Sequence, residues 1–295
     1  MTKDAQVFNL LEGILPMVNG IRFFEPDDVL ALYAGIGIPS LRILEIGQTN
    51  DFCLATYYQI KAANPLRGMV EPGRLRVHYE SLRDDAMASD PDALNDLGWL
   101  WLNGSRVLFE PALARRLFKL AFVLGSAEAA FNLGEQAFYG KGVPVDRDLA
   151  ISYYEQAYEG GVLCAARVLG SLYCESADDW TADHHKAVQW YMRAAEDDDL
   201  DACFLLGCLV LDNHSPTHER ALGIYWLQWA AMKGHMMAAE YLAYLYNSTL
   251  LAPPDPDGLM YDFWRDHAIR LGSQWVLEVG VDDRRPHFFA VSKTL

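Results

Sequence analysis

Two short runs of apolar residues within residues 128–161 each repeat at the period of an α-helix. The first run consists of Ala129, Leu133 and Ala137, and the second of Ala150, Tyr153, Tyr154 and Ala157. Such spacing places each run on one face of its own helix. The Gly-Lys-Gly-Val-Pro segment at residues 140–144 separates the runs, and no helix continues through it. The pattern therefore predicts an antiparallel helix pair, in which Asp146 caps the start of the second helix.

This pattern recurs along the chain at a step of about 36 residues, which is typical of helical repeat arrays. The recurring leucines, each followed by glycine or alanine, are Leu97, Leu133, Leu169, Leu206 and Leu242. The positions eight residues before the last four of them are Gly125, Gly161, Asp198 and Gly234. One helix pair cannot bury its own apolar face, so the pairs are expected to stack on one another.

The unit with the clearest pattern contains Ala-x-x-x-Leu-Gly, Gly-Lys-Gly-Val, Asp146 and Ala-x-x-Tyr-Tyr-x-x-Ala. With these motifs the chain resembles the Sel-one-like repeat family, a relative of the tetratricopeptide repeat, over residues 92–248. The third and fourth copies depart from the pattern, because residues 174–176 and 212–216 replace the glycine-rich turn. The resemblance implies an all-α, right-handed solenoid of stacked antiparallel helix pairs, with helical caps at both ends, that binds other proteins.

Three regions follow from the extent of the repeats. Residues 1–91 lie outside the repeat register and are expected to form an N-terminal helical cap, with a turn at Glu71-Pro-Gly73. Residues 92–249 hold about four and a half repeats. Residues 250–295 are expected to hold a capping helix over 259–271, with Trp264, Ala268 and Leu271 on one face, followed by a tail with strand-like content.

The composition argues against several classes of protein. A net charge of −16 is opposite to the basic surface that nucleic-acid binding requires. The N-terminus lacks the continuous apolar segment of a signal peptide, and no later stretch is apolar enough to span a membrane. The five cysteines, Cys53, Cys164, Cys174, Cys203 and Cys208, have neither zinc-binding nor CxxC spacing. We therefore expect reduced thiols and a cytoplasmic location.

Residues that could support catalysis or hold a cofactor do not form a complete motif. His214 and His218 have a helical metal-ligand spacing, but Pro216 lies between them and no third ligand is placed. The segment Gly35-Ile-Gly37-Ile-Pro39 lacks the third glycine of a dinucleotide-binding loop. The sequence therefore predicts no catalytic residues, no metal site and no cofactor.

The predicted binding surface lies on the first helix of each pair, at positions that the repeat consensus leaves variable. This placement follows the analogy with tetratricopeptide arrays, in which such positions face the concave surface. The positions are Asn95, Trp99, Phe131, Glu135, Arg167, Ser171, Glu175, Phe204, Asp212, Glu240 and Tyr244. Exposed aromatic side chains here would be binding hot spots, whereas the alternative is that they pack between repeats.

A second candidate surface is an acidic rim within residues 175–201. Its members are Asp178, Asp179, Asp183, Glu196, Asp197, Asp198, Asp199 and Asp201. Runs of like charge are usually solvated faces, so a simple solvated rim is one interpretation. The other is a docking patch for a basic protein, which such a surface would attract.

Three functions are consistent with these features. The most specific is a bacterial cytoplasmic immunity protein that binds and neutralises a toxin effector through its concave face and acidic rim. The second is a general adaptor or regulatory scaffold for protein complexes. The third is an enzyme whose chemistry lies unrecognised in residues 1–91. The first two predict a protein partner, basic in character, and neither involves nucleic acid or a membrane.

Overall fold

The computed structural model describes residues 11, 15–16, 37–38, 72–103, 109–176, 181–211, 220–248 and 257–274. Every regular element within these ranges is an α-helix. In chain order, the helices are α1 (Pro72–Met87), α2 (Pro91–Asn103), α3 (Pro111–Val123), α4 (Ala127–Tyr139), α5 (Arg147–Glu159), α6 (Cys164–Cys174), α7 (His184–Glu196), α8 (Leu200–Leu211), α9 (Arg220–Met232), α10 (Met236–Ser248) and α11 (Leu259–Arg270). Among the described residues, no helix is long and apolar enough to cross a membrane.

The chain divides into two compact units, residues 1–165 and 166–295. In the first unit α2 packs on α3 and α4 packs on α5, as the predicted pairs require. In the second unit α8 packs on α9 and α10 packs on α11 in the same way. The helix predicted over 259–271 is confirmed as α11, with Trp264 and Ala268 buried. The strand-like tail, Cys53 and the pair His214 and His218 lie outside the described residues.

Side-chain caps fix where the repeat helices begin. The predicted cap is confirmed, because the Asp146 carboxylate accepts a hydrogen bond from the Leu149 amide at 2.9 Å. Ser126, Asp183 and Asp199 accept equivalent bonds, from the amides of Ala129, Lys186 and Ala202. The prediction of a turn at residues 71–73 is wrong, because α1 begins at Pro72. Proline at the first position of a helix costs no hydrogen bond, so it marks a start as readily as a turn.

The glycine of each Leu-Gly pair leaves room for a ring or side chain of the second helix. A Cβ atom on Gly134 would lie 2.9 Å from the Tyr154 ring, and one on Gly170 would lie 2.5 Å from the Tyr191 ring. Gly98 faces Phe118 in the same manner, at 2.6 Å. The repeated glycine and the repeated aromatic residue are therefore two halves of one helix-to-helix contact.

The N-terminal region contributes to the core of the first unit. Leu11 and Leu15 are buried in the same cluster as Tyr79 and Leu97. The Tyr79 hydroxyl donates a hydrogen bond to the carbonyl of Pro16 at 3.3 Å. These contacts tie residues from the start of the chain to α1 and α2.

The residue that ends the turn before each first helix has a left-handed backbone. Its φ angle is +107° at Gly125, +102° at Gly161 and +103° at Gly234. Glycine is replaced at Ser89, before α2, where φ is +69°, and at Asp198, where φ is +62°. A residue with a Cβ atom is strained in this conformation, typically by about 1 to 2 kcal/mol. The third repeat therefore holds a strained aspartate at a position that favours glycine.

Replacing Asp198 with glycine is expected to raise the free energy of unfolding by about 1 kcal/mol, because the backbone strain disappears. The matched control is Asp197→Gly, which removes the same charge at a φ of −85°. There glycine only adds chain entropy to the unfolded state, so a loss of about 0.5 to 1 kcal/mol is expected. Urea unfolding of both variants measures the difference, and equal effects would contradict the assignment of strain to Asp198.

Candidate functional site

The structure places most of the eleven predicted binding positions inside the protein. Seven of the ten that it describes are buried: Asn95, Trp99, Phe131, Glu135, Arg167, Phe204 and Glu240. Ser171, Glu175 and Tyr244 are half-buried, and Asp212 lies outside the described residues. The polar members of the buried group therefore need partners within the chain.

In the first unit, those partners are the backbone groups of Gly37 and Ile38. The Gly37 amide donates to Oε2 of Glu135 at 3.2 Å, and the Gly37 carbonyl accepts from Nε1 of Trp99 at 3.2 Å. The Ile38 amide donates to Oδ1 of Asn132 at 2.7 Å. The Ile38 carbonyl accepts from Nδ2 of Asn132 at 2.8 Å and from Nδ2 of Asn95 at 3.2 Å.

We call Asn95, Trp99, Asn132 and Glu135 the backbone clamp. All four side chains are buried, and together they satisfy every backbone polar group of the dipeptide. They come from α2 and α4, the first helices of two consecutive repeats. Side chains on repeat helices of this chain therefore bind polypeptide backbone.

The clamp is held in shape by contacts among its own members and with α5. Nδ2 of Asn132 also donates to Oδ1 of Asn95 at 2.8 Å, which orients both amides. The second carboxylate oxygen of Glu135 accepts from the Tyr154 hydroxyl at 2.8 Å. The Tyr154 ring lies edge-on to Phe131, with centroids 5.2 Å apart. Phe131 thus packs inside the unit, which is the alternative that the sequence left open for the aromatic positions.

In the second unit, Arg167 lies at the centre of a group of charged residues. Its Nε donates to Oδ2 of Asp199 at 2.8 Å, and its Nη1 is 4.0 Å from Oδ2 of Asp201. Oδ1 of Asp201 is 3.1 Å from Nε2 of His235. Nδ1 of His235 accepts a hydrogen bond from the Ala238 amide at 3.1 Å, so the ring hydrogen lies on Nε2 and is donated to Asp201.

Two carboxylates in this unit have pKa values shifted from those of free side chains. Burial alone would raise the pKa of Asp201, but the hydrogen bond from His235 and the charge of Arg167 outweigh it and hold that pKa below its usual value. Burial raises the pKa of Glu240, although a hydrogen bond from the Ser273 hydroxyl opposes the change. Phe204 stacks on the His235 ring at 4.9 Å. These residues form an interior network, not an open surface.

The predicted acidic rim divides into residues with different roles. Asp183 and Asp199 are helix caps, and Asp199 and Asp201 are paired with Arg167. Asp178 and Asp179 lie outside the described residues. Glu196, Asp197 and Asp198 remain exposed in the turn after α7, and we call these three residues the acidic turn.

Asn132, Tyr154, His235 and Ser273 belong to these networks but are not among the site residues predicted from the sequence. One signal was available for Asn132, which lies between the apolar residues Phe131 and Leu133. A polar amide in such a position needs internal partners, so it predicts a buried hydrogen-bond network. The repeat register could not reveal what the partner was.

Reactive groups are scarce in the part of the chain that the structure describes. The cysteines described there, Cys164, Cys174, Cys203 and Cys208, are not in disulfide bonds. Burial raises the pKa of the Cys174 thiol to about 11 and that of the Cys203 thiol to about 12, so both remain protonated at neutral pH. Among the described residues, no three metal-ligating side chains come together as a candidate metal site.

The model of the Sel1 repeat family matches residues 91–125, 127–162, 165–199 and 200–235. A crystal structure of a Sel1 repeat protein from Oxalobacter formigenes aligns with 91% of this chain and 98% of its own, with 21% identity and a TM-score of 0.58. At that identity the likeness concerns the fold. The predicted fold class, an α-solenoid of stacked antiparallel helix pairs, is confirmed.

Two sequence relatives share part of the chain. Chitin synthase regulatory factor 4 of Schizosaccharomyces pombe is 30% identical over 155 residues, which cover 52% of this chain and 24% of that protein. An uncharacterized protein of Neisseria meningitidis serogroup B is 28% identical over 118 residues, 40% of this chain and 24% of that protein. The chain spans about a quarter of the length of both relatives. The chain thus contains four consecutive Sel1 repeats, which together span residues 91–235.

Proposed function

We propose that this chain is a non-catalytic protein-binding protein, and most specifically a bacterial cytoplasmic immunity protein that neutralises a basic toxin effector. The observation that carries the proposal is the acidic turn. Glu196, Asp197 and Asp198 are exposed next to one another directly after the last turn of α7. A basic surface of a partner would be attracted to these three carboxylates.

The acidic turn lowers the stability of the fold in three ways. Asp198 holds a strained φ of +62° at a turn position where α4, α6 and α10 are preceded by glycine and α2 by Ser89. Carboxylates at a helix C-terminus are disfavoured by the helix dipole, by about 0.3 to 1 kcal/mol each. Neighbouring like charges also repel one another. Asp198 thus departs from the local preference of this turn position, and such departures are expected at functional sites, which supports a binding role for the turn.

The rest of the protein adds to the attraction and to the available surface. The net charge of −16 favours fast association with a basic partner. In the second unit, Ser171, Glu175 and Tyr244 are the described predicted positions that are only half-buried. These three positions are therefore further candidates for contact with a partner, while the buried positions support the fold.

A regulatory scaffold is the second candidate. The Schizosaccharomyces pombe relative is described as a regulatory factor, which favours an adaptor role for repeats of this kind. A scaffold would bind several proteins with moderate affinity, whereas an immunity protein would bind one dedicated partner tightly. The two candidates therefore differ in the number of partners and in what each partner does alone.

Affinity capture from the native lysate at low and moderate salt tests the proposal. We expect one basic partner in stoichiometric amount, lost when Glu196, Asp197 and Asp198 are all changed to lysine. The matched control changes Glu80, Asp84 and Glu159, which are exposed in the first unit, to lysine with the same total charge change. Capture that the acidic-turn variant retains would contradict the proposed surface.

Expression of the captured partner separates the two candidates. If the chain is an immunity protein, we expect the partner alone to arrest growth and co-expression of this chain to relieve the arrest. If the chain is a scaffold, we expect several partners and no arrest of growth by any of them. Relief by the control variant but not by the acidic-turn variant would tie neutralisation to the exposed carboxylates.

A further inference from the structure

We infer that the backbone clamp is a binding site for a peptide segment that contains glycine followed by an aliphatic residue, and that this chain fills the site with its own Gly37 and Ile38. The inference rests on the proposed function in one respect, since it takes the repeats to bind polypeptide. It adds the chemistry of the ligand, which the acidic surface does not specify.

The hydrogen bonds are of the kind that recognises backbone. Asn132 uses one amide to accept from the N–H and donate to the C=O of Ile38, as a neighbouring β-strand would. Trp99 and Glu135 bind the C=O and N–H of Gly37. None of these bonds involves a side chain of the bound dipeptide, so any chain that reaches the clamp in this conformation can make them.

Selectivity comes from the space around the two residues. A Cβ atom on Gly37 would lie 2.2 Å from Oδ1 of Asn132, and the φ angle of Gly37 is +76°. The first position therefore strongly favours glycine. The second position buries its side chain, since Ile38 is only 6% exposed, and thus favours an apolar residue.

Occupation by the chain's own segment limits access by a partner. Gly37 and Ile38 are 94 or more residues before the clamp residues on α4. Because they belong to the same chain, their local concentration at the clamp does not depend on the protein concentration. A tethered segment competes at an effective concentration of about millimolar or above. A partner peptide must displace it, so binding in trans is expected to be weak until residues 37–38 leave the clamp.

The chain supplies the test peptide. Residues 33–42, Tyr-Ala-Gly-Ile-Gly-Ile-Pro-Ser-Leu-Arg, are made as a fluorescein-labelled peptide. Gly35-Ile36 repeats the Gly-Ile step two residues upstream and could take the place of Gly37-Ile38 after a shift. The opened protein therefore carries both Gly35→Val and Gly37→Val, and the control peptide carries the same two changes.

Fluorescence anisotropy of purified full-length protein gives the affinities. We expect the opened protein to bind the glycine peptide at least about tenfold more tightly than the wild-type protein does, because the tethered competitor is gone. The valine peptide should bind at least about tenfold more weakly than the glycine peptide. Adding Asn132→Ala to the opened protein should abolish the preference. Equal affinity of a folded, opened protein for the two peptides overturns the inference.

A milder variant keeps the test decisive if the valines prevent folding. The variant Gly35→Ala with Gly37→Ala introduces the same clash with a smaller side chain. As a second fallback, the wild-type protein is titrated with peptide up to millimolar concentration. For both the double-alanine variant and the wild-type protein, we expect saturable binding of the glycine peptide and none of the valine peptide. The absence of that difference overturns the inference. The lysine variants of the acidic turn leave the clamp unchanged, so failure here and failure of the proposed function are separate results.

Discussion

The variant Asn132→Ala is expected to lose about 2 to 4 kcal/mol of its free energy of unfolding, as measured by urea denaturation. Alanine removes the acceptor for the Ile38 amide and the donors to the Ile38 carbonyl and to Asn95. The Ile38 amide is then buried without its partner, which typically costs about 1 to 3 kcal/mol by itself. The loss of ordered amide contacts accounts for the remainder.

Gln156→Ala is the control for this prediction. Gln156 is an exposed amide on α5 whose bonds go only to Ser152 on the same helix. Its removal is expected to change the free energy of unfolding by less than about 0.5 kcal/mol. If the two variants lost the same amount, Asn132 would not be part of a buried network.

The second large effect is expected for Arg167→Met, with a loss of about 2 to 3 kcal/mol. Methionine keeps much of the apolar packing but leaves Asp199 and Asp201 facing each other without the guanidinium. Removing one partner of a buried pair costs about 3 to 5 kcal/mol. We expect less here because the side chains of Asp199 and Asp201 are 14% and 21% exposed and stay partly hydrated.

Arg265→Met provides a control with the same chemistry at the surface. Arg265 also pairs with two carboxylates, those of Asp262 and Asp266 on α11, but its side chain is 34% exposed and the two carboxylates are more than half exposed. Exposed pairs contribute little, so a loss below about 0.5 kcal/mol is expected. A larger loss at Arg265 than at Arg167 would contradict the interior role of the Arg167 network.

The effect of Arg167→Met should depend on pH. The folded pKa of Asp201 lies below its usual value of about 3.9. A lowered pKa contributes stability that is complete above the unfolded pKa and is lost as the pH falls through the folded pKa. The difference in stability between wild type and variant is therefore expected to be largest above about pH 4 and to shrink below it.

The repeat architecture could be predicted because its determinants are local and recur. Gly134 and Tyr154 form one contact within one helix pair, and the same contact returns as Gly170 with Tyr191. Each recurrence in the sequence reports the same packing. The caps at Asp146 and Asp183 follow from residue type and position in the same way.

The backbone clamp could not be predicted because its ligand is distant in sequence and carries no recognisable motif. Ile38 lies 94 residues before Asn132. Asn95 lies two residues before its repeat leucine, whereas Asn132 lies one residue before its own, so the repeat register does not relate them. The repeat register identified Glu135 and Arg167 as variable positions. It could not show that both side chains form hydrogen bonds to other residues of the same chain.

Amide hydrogen exchange at Gly37 and Ile38, followed by NMR in the wild-type protein and in Asn132→Ala, tests most directly whether repeat side chains of this chain bind peptide backbone. We predict that the Ile38 amide exchanges at least about 100-fold more slowly than an unstructured peptide in the wild-type protein, and that Asn132→Ala removes most of this protection. Exchange of Ile38 at the unstructured rate in the wild-type protein would contradict the account.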